Sequence, residues 1–136
     1  MKATMPTDAQ LADLAAANQD DAIAMLNLLK FKTKATYKDD APEAGQDLTG
    51  FEAYLKYGAG VAPVLSGVGG KILYSGPANR FVIGGGELWD MVVIAWYPSR
   101  TAFLEMSSSA PYQAIHYHRA AGLEHQQLIE TTPAEM

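Results

Sequence analysis

ELWDMVVIAWY, residues 87–97, is apolar along both sides of an extended chain. One side carries Trp89, Met91, Val93, Ala95 and Tyr97. The other side carries Val92, Ile94 and Trp96, and only Asp90 interrupts it. A strand that is apolar on both faces must be covered on both faces. The stretch therefore predicts an inner strand of a sheet, with a packed layer on each side.

The segment AIAMLNLLKFK, residues 22–32, predicts another strand that is apolar on both sides. Asn27 is the single amide in the row that it shares with Ile23, Met25, Leu29 and Phe31. In one interpretation, backbone groups or water satisfy this amide within the core. In the other, Asn27 orients a ligand inside a pocket with apolar walls.

Two capping boxes predict helix starts, TDAQ at residues 7–10 and TGFE at residues 49–52. The first helix is short, whereas the second continues with apolar residues at helical spacing. Pro63 removes a backbone donor, so the second helix is expected to kink or end near it. The intervening residues 33–48 form a long polar connection whose role stays open, and Tyr37 is its expected anchor.

The rest of the chain alternates between strand and helix patterns. Residues 71–75 predict a strand, residues 80–83 resume the extended pattern, and the triple glycine at 84–86 predicts a hairpin turn. After the central strand, a short helix precedes a longer one over residues 111–121. Residues 125–131 predict the closing strand.

Leaving aside the first helix, the order is strand, helix, strand, strand, helix, strand. This order predicts an α+β protein of the ferredoxin-like βαββαβ type, with a four-stranded antiparallel sheet and its helices on one face. A second copy of the sheet is the simplest cover for the other face, which predicts a homodimer through the sheet faces. Residues 1–21 would form an N-terminal helical extension, and residues 22–133 the domain itself.

Composition excludes several classes of function. The 136 residues suit one domain, and the chain has no cysteine for disulfides, thiolate catalysis or zinc. A formal charge of -5 argues against a nucleic-acid partner. No apolar run has the length of a membrane span, so a cytoplasmic protein is expected. His116 and His118 are on nearly opposite sides of a helix and cannot chelate one metal together, so no metal is predicted. No cofactor is predicted either.

Four segments carry a resemblance to a known family: MLNLLKFK at 25–32, YLKYGAGVAPVLSGVGGKILYSG at 54–76, WDMVVIAWYPSRTAFLEM at 89–106 and PYQAIHYHRAAGLEHQQLIETTP at 111–133. In this order and spacing they resemble the DUF1330 family of the dimeric α/β-barrel superfamily. The resemblance implies a ferredoxin-like fold and a dimer, and no established reaction. More distant relatives in the superfamily include cofactor-free monooxygenases of aromatic polyketides, haem-degrading enzymes and muconolactone isomerases. Assigning any of these activities to this chain would rest on analogy of fold alone.

Several side chains are candidates for chemistry. Tyr112, His116 and Arg119 lie at i, i+4 and i+7, on one face of the last helix. His116 is predicted as an acid or base and Arg119 as a partner for a carboxylate or enolate. In the alternative interpretation, this face lies at the rim of the dimer, where the side chains pack their apolar stems and expose their polar ends to water. The predicted ligand-binding residues are Asn27, Tyr54, Trp96 and Tyr112.

Two further patterns concern the tryptophans. Trp89 and Trp96 point to opposite sides of their strand, so one faces the helices and the other faces the second sheet. Haem-degrading relatives use an Asn, a Trp and a His on corresponding elements, and Asn27, Trp96 and His116 match them by element only.

Two hypotheses for function follow. The first is a small-molecule binder or cofactor-free enzyme, with a pocket between sheet and helices that takes a small aromatic or lactone compound for oxidation or isomerisation. The second is a non-catalytic dimeric binding or structural module.

Overall fold

The computed structural model describes residues 3–134, which form four helices and four strands. In chain order these are α1 (Asp8–Ala16), β1 (Ile23–Phe31), α2 (Gly50–Gly67), β2 (Lys71–Pro77), β3 (Met91–Tyr97), α3 (Arg100–Ser108), α4 (Ala110–Gly122) and β4 (Leu123–Thr131). No helix among them is long and apolar enough to cross a membrane.

The four strands form one sheet in the order β2-β3-β1-β4, and every neighbouring pair is antiparallel. The two strands predicted to be apolar on both sides are the two inner strands. Helices α2 and α4 pack against each other, and residues of α2 join those of the sheet in both core clusters. This arrangement confirms the predicted ferredoxin-like α+β fold.

The two faces of the sheet differ in burial. Ile23, Met25 and Leu29 of β1 point toward the helices and are almost completely buried. On the opposite face, which we call the open face, Leu26, Ile94 and Trp96 are only partly buried by the described chain. At the margins of the open face, Tyr74 and Ile129 are exposed. The alternation of apolar residues therefore leaves one covered face and one apolar face open to solvent.

Glycines allow α2 and α4 to approach closely. A Cβ atom on Gly50 would lie 2.6 Å from the carbonyl oxygen of Gly122, and even closer to that of Lys32. A Cβ atom on Gly60 would lie 2.8 Å from the side chain of Ile115 in α4. The close contact thus joins one helix to the other and to the end of β1. Gly58 has no neighbour within 4 Å of such an atom.

One local prediction was wrong. Residues 80–83 do not continue a strand, because β2 ends at Pro77 and residues 78–90 are irregular. Val82 and Ile83 are 88% and 92% exposed there, so no packing holds them in an extended ladder. Helix α2 ends at Gly67, one turn after Pro63, and this last turn packs Leu65 into the core.

The segments outside the sheet and its helices are held by a few contacts. Helix α1 has the predicted capping box and buries none of its residues. The connection over 33–48 is anchored by Tyr37, as expected: its hydroxyl lies 2.8 Å from Nδ1 of His118. The division into an extension over 1–21 and a domain over 22–133 stays a prediction.

Candidate functional site

A cavity of about 60 Å³ lies between the helix-facing side of the sheet and the helices. Its walls combine apolar side chains with an amide, three phenols and a guanidinium. The lining residues are Met25, Asn27, Tyr57, Tyr97, Phe103, Met106, Ser107, Tyr112, Arg119 and Leu128. This combination of apolar walls with a few converging polar groups is typical of sites that bind small molecules.

Asn27 is held rigidly at the floor of the cavity. Its Nδ2 donates hydrogen bonds to the carbonyl oxygens of Met25 and Val93, each over 3.2 Å. Both amide hydrogens are therefore used by the sheet, and Oδ1 accepts from no group of the described chain. The two interpretations of this amide are compatible, because its nitrogen serves the backbone while its oxygen is left as an acceptor.

A cluster of tyrosines forms one wall. The hydroxyl oxygens of Tyr57 and Tyr112 lie 3.1 Å apart, and the rings of Tyr54 and Tyr57 have centroids 5.3 Å apart. Burial raises the pKa of Tyr54 to about 12, and burial also raises the pKa of Tyr57 and of Tyr97. These phenols are neutral at physiological pH and can donate hydrogen bonds.

Arg119 brings a positive charge to the cavity. One of its terminal nitrogens donates a hydrogen bond of 2.7 Å to the carbonyl oxygen of Thr4. None of the ion pairs within residues 3–134 includes Arg119. Burial raises the pKa of Tyr54 and of Tyr57, and the charge of Arg119 offsets part of this rise. The guanidinium therefore acts electrostatically on the wall of tyrosines. Within residues 3–134, the hydrogen bond to Thr4 uses one of its five donors, so the other donors can bind a ligand.

His116 lies beside this wall and not on the cavity surface. Its ring centroid is 5.6 Å from that of Tyr112, which does line the cavity. Burial lowers the pKa of His116, and the nearby charge of Arg119 lowers it further. The imidazole is therefore neutral near pH 7, as an acceptor of protons must be.

Of the six predicted site residues, three line the cavity: Asn27, Tyr112 and Arg119. Tyr54 and His116 are one layer behind it, in ring contact with Tyr57 and Tyr112 respectively.

Trp96 does not belong to this cavity. Trp96 pairs with Ala24 of β1 and Asn27 pairs with Val93, so Trp96 is three residues from the partner of Asn27 on β3. Side chains an odd number of residues apart on a strand point to opposite faces, which places Trp96 and Asn27 on opposite faces of the sheet. Its ring lies on the open face, where Nζ of Lys71 is 5.1 Å from its centroid. The match of Asn27, Trp96 and His116 to haem-degrading relatives is therefore wrong as a single site.

Sequence reasoning missed Tyr57 and Tyr97. Both carried a usable signal: Tyr57 follows Tyr54 by three positions on the same helix, and Tyr97 continues the row of β3 that faces the helices. Phe103, Met106 and Ser107 of α3 were missed because the path of that helix over the sheet depends on tertiary packing.

Two other places on the molecule compare poorly with this cavity. A groove of about 310 Å³ between Phe31, Phe51, Pro77, Asp90 and Met91 is larger and almost wholly apolar. Its one carboxylate already accepts a hydrogen bond from the backbone of Phe31 over 2.9 Å. The groove thus offers a ligand little that would fix its orientation.

The other place surrounds His125, which is 8% exposed. The ring of Trp89 lies on it at a centroid distance of 5.1 Å, and Nε2 is 3.3 Å from a carboxylate oxygen of Glu87. Within the described part of the chain, no three His, Asp or Glu residues are grouped so that they could hold a metal ion.

The sheet order and the polar cavity define an α+β protein of the ferredoxin-like class with a candidate small-molecule site under its helices. The model of the DUF1330 family, a domain of unknown function, matches residues 44–131, which is more than half of the chain. The protein therefore belongs to the DUF1330 family. No curated protein matches the chain.

Solved structures agree with this assignment. The protein is similar to RPA0582, a protein of unknown function from Rhodopseudomonas palustris, with 36% identity over 97% of each chain and a TM-score of 0.86. It is equally similar to the methylated form of RPA0582, with 37% identity over 96% of this chain and 94% of the other, and a TM-score of 0.86.

A more distant structure is named a "putative antibiotic biosynthesis monooxygenase" of Caulobacter crescentus CB15. It shares 14% identity over 85% of this chain and 92% of its own, with a TM-score of 0.52. At this identity the likeness concerns the fold alone.

Proposed function

We propose that this protein binds a small molecule in the cavity between the sheet and the helices. The observation that carries the proposal is the convergence of unlike polar groups on one apolar-walled space. The Oδ1 atom of Asn27 is an acceptor, Arg119 is a charged donor, and the hydroxyl groups of Tyr57 and Tyr112 can donate. Such a set can fix both the position and the orientation of a ligand.

The same groups support cofactor-free chemistry on a small aromatic or lactone compound, either isomerisation or oxidation in which molecular oxygen is the oxidant. Arg119 would stabilise an enolate or phenolate as negative charge develops on it. His116, neutral because its pKa is lowered, would be the base that takes up the released proton, and its ring lies against that of Tyr112 in the cavity wall. Asn27 would orient a hydroxyl group of the compound, which can donate to its Oδ1.

The size of the cavity restricts the ligand. An apolar cavity of about 150 Å³ holds one benzene molecule, whereas this cavity measures about 60 Å³. A ring would enter only if a wall residue such as Phe103 moved outward. A ligand of a few heavy atoms would fit without any movement.

The alternative function is a non-catalytic dimeric binding or structural module. One observation favours it: the amide of Asn27 bonds to two backbone carbonyls, which is the bonding of a structural residue. Both functions are compatible with a homodimer through the open face, which we also propose because Leu26, Ile94 and Trp96 form an apolar surface there. A cytoplasmic location is proposed with it.

Thermal unfolding in the presence of ligands tests the proposed function. A panel of lactones, aromatic acids, quinones and haem would be screened against the wild type, Asn27→Ala and the exposed control Asn79→Ala. A ligand at 100 times its dissociation constant stabilises the folded state by about 2.7 kcal/mol, which raises the melting temperature by several degrees.

We expect a shift in the wild type and in Asn79→Ala that is smaller in Asn27→Ala, because the variant keeps the other polar groups of the cavity. An undiminished shift in Asn27→Ala would place the binding site elsewhere. No shift with any compound, short hydroxy acids included, would favour the non-catalytic module.

A further inference from the structure

We infer that the ligand of the cavity is a short hydroxycarboxylate, of the size of glycolate or lactate, whose carboxylate binds to Arg119 and whose hydroxyl donates to Asn27. This inference rests on the proposed function and specifies the chemical class of its ligand.

The carboxylate is required by the electrostatics of Arg119. Arg100, the comparable arginine of α3, forms ion pairs with Glu130 and Asp21. Arg119 is part-buried at the cavity, and its described partner is the neutral carbonyl oxygen of Thr4. A charge removed from water without a counter-charge is costly for a protein. A guanidinium that keeps several donors free fits a planar carboxylate, which it can bind through two parallel hydrogen bonds.

The phenol wall strengthens this selectivity for an anion. Tyr57 and Tyr112 present hydroxyl groups to the cavity, and these groups are 3.1 Å apart. Only one of the two can donate to the other, so the second proton is free for a ligand oxygen. Because burial raises the pKa of Tyr57, its phenol stays protonated and does not compete with the ligand as an anion.

The hydroxyl group is required by Asn27. Both hydrogens of its amide are donated to the sheet, so the group that Asn27 can offer a ligand in the cavity is Oδ1, which only accepts. A carboxylate oxygen placed against Oδ1 would be repelled, whereas a hydroxyl group would donate to it. The ligand therefore needs an acceptor group at one end and a donor at the other. A cavity of about 60 Å³ holds only a few heavy atoms, so we infer that one or two carbon atoms separate the two groups.

Three small probes distinguish the parts of this inference. Glycolate has both groups, acetate lacks the hydroxyl, and glycolamide lacks the charge. Each would be titrated into ¹⁵N-labelled full-length protein, with NMR detection of the side-chain amide of Asn27 and of Nε of Arg119. We expect glycolate to bind more tightly than acetate, and glycolamide to bind at least about tenfold more weakly than glycolate, because charge-assisted hydrogen bonds are the stronger ones.

Variants assign these effects to residues. Arg119→Gln should weaken glycolate binding at least about tenfold, whereas Arg80→Gln, in the exposed loop, should leave the binding unchanged. Asn27→Ala should bind glycolate and acetate equally well. Amide spectra of each variant establish that it is folded before binding is compared.

Several outcomes would overturn the inference. The inferred role of the carboxylate would be contradicted if glycolamide bound as tightly as glycolate. It would also be contradicted if a folded Arg119→Gln variant bound glycolate as well as the wild type. A preference for glycolate over acetate that persists in Asn27→Ala would remove the role of the hydroxyl. If these short acids fail but a lactone or aromatic compound shifts the signal of Asn27, the inference fails and the proposed function stands. If nothing shifts it, both fail.

Discussion

Asn27 and Arg119 show how the environment of a single side chain decides its chemistry. Both are polar groups placed among apolar neighbours, where an unpaired donor or charge is costly. Asn27 meets this cost with two backbone carbonyls, whereas the described partner of Arg119 is one neutral carbonyl. The described chain therefore compensates the polar group of Arg119 less well than that of Asn27. Arg119 is the stronger indication of a ligand.

The lowered pKa of His116 makes the stability of the protein depend on pH. Its pKa lies below the ordinary value of 6.5 in the folded protein, because burial and then Arg119 disfavour the imidazolium. The unfolded chain binds this proton more readily, so the contribution is complete above the unfolded pKa and is lost as the pH falls below it. Unfolding by urea should thus show a lower free energy at pH 5.5 than at pH 7.5.

His116→Gln should reduce this difference, since glutamine does not titrate. His118 contributes with the same sign, because burial lowers its pKa too, and His118→Gln provides the comparison at the other histidine of α4. An unchanged difference between the two pH values in His116→Gln would show that this histidine is accessible to solvent in the folded state.

At the scale of elements, the approach of α2 to α4 depends on the absence of side chains at their ends. Gly50 at the start of α2 faces the carbonyl oxygens of Gly122 and Lys32, so it joins a helix start to a helix end and a strand end. This contact positions α4, and α4 carries Tyr112 and Arg119. The geometry of the cavity is therefore linked to a pair of glycines outside it.

Substitution of these glycines tests that link. Gly50→Ala should lower the free energy of unfolding by about 1–3 kcal/mol, because its methyl group has no space beside the two carbonyl oxygens. Gly58→Ala, within the same helix, should raise it by about 0.5–1 kcal/mol, because alanine favours the helix and nothing lies within 4 Å of the new methyl group. Chemical denaturation measures both; equal effects would contradict the close contact.

At the scale of the whole molecule, the open face is the apolar surface that the single chain leaves uncovered. Its inner strands carry Leu26, Ile94 and Trp96, and Tyr74 and Ile129 extend the apolar area to both margins. Isolated apolar residues are common on protein surfaces, but a contiguous patch of this kind indicates an interface. A two-fold pair of sheets would cover it with a copy of itself.

Light scattering during size exclusion tests the proposed dimer. The wild type should have twice the mass of one chain, and Ile94→Lys should be a folded monomer, because a charge at the centre of the interface cannot be solvated there. Leu55→Lys adds the same charge at a residue of α2 that is 50% exposed, and it should remain a dimer. A monomeric wild type would contradict the proposal.

The sequence by itself determined the elements and their order. Alternation in the two inner strands and the capping boxes at Thr7 and Thr49 depend only on near neighbours along the chain, and both appear as predicted. Local patterns also predicted that the inner strands are apolar on both faces. They did not show which face meets the helices.

Tertiary structure decided the site. Alternation places Trp96 and Asn27 on opposite faces, but only the packing of α2 and α4 on one of them makes Asn27 part of a cavity and leaves Trp96 outside it. Tyr57 and Tyr97 join Arg119 for the same reason, since residues distant in sequence meet only when helices cross a sheet. Alternation also failed at residues 80–83, because these residues are exposed and no packing maintains a strand there.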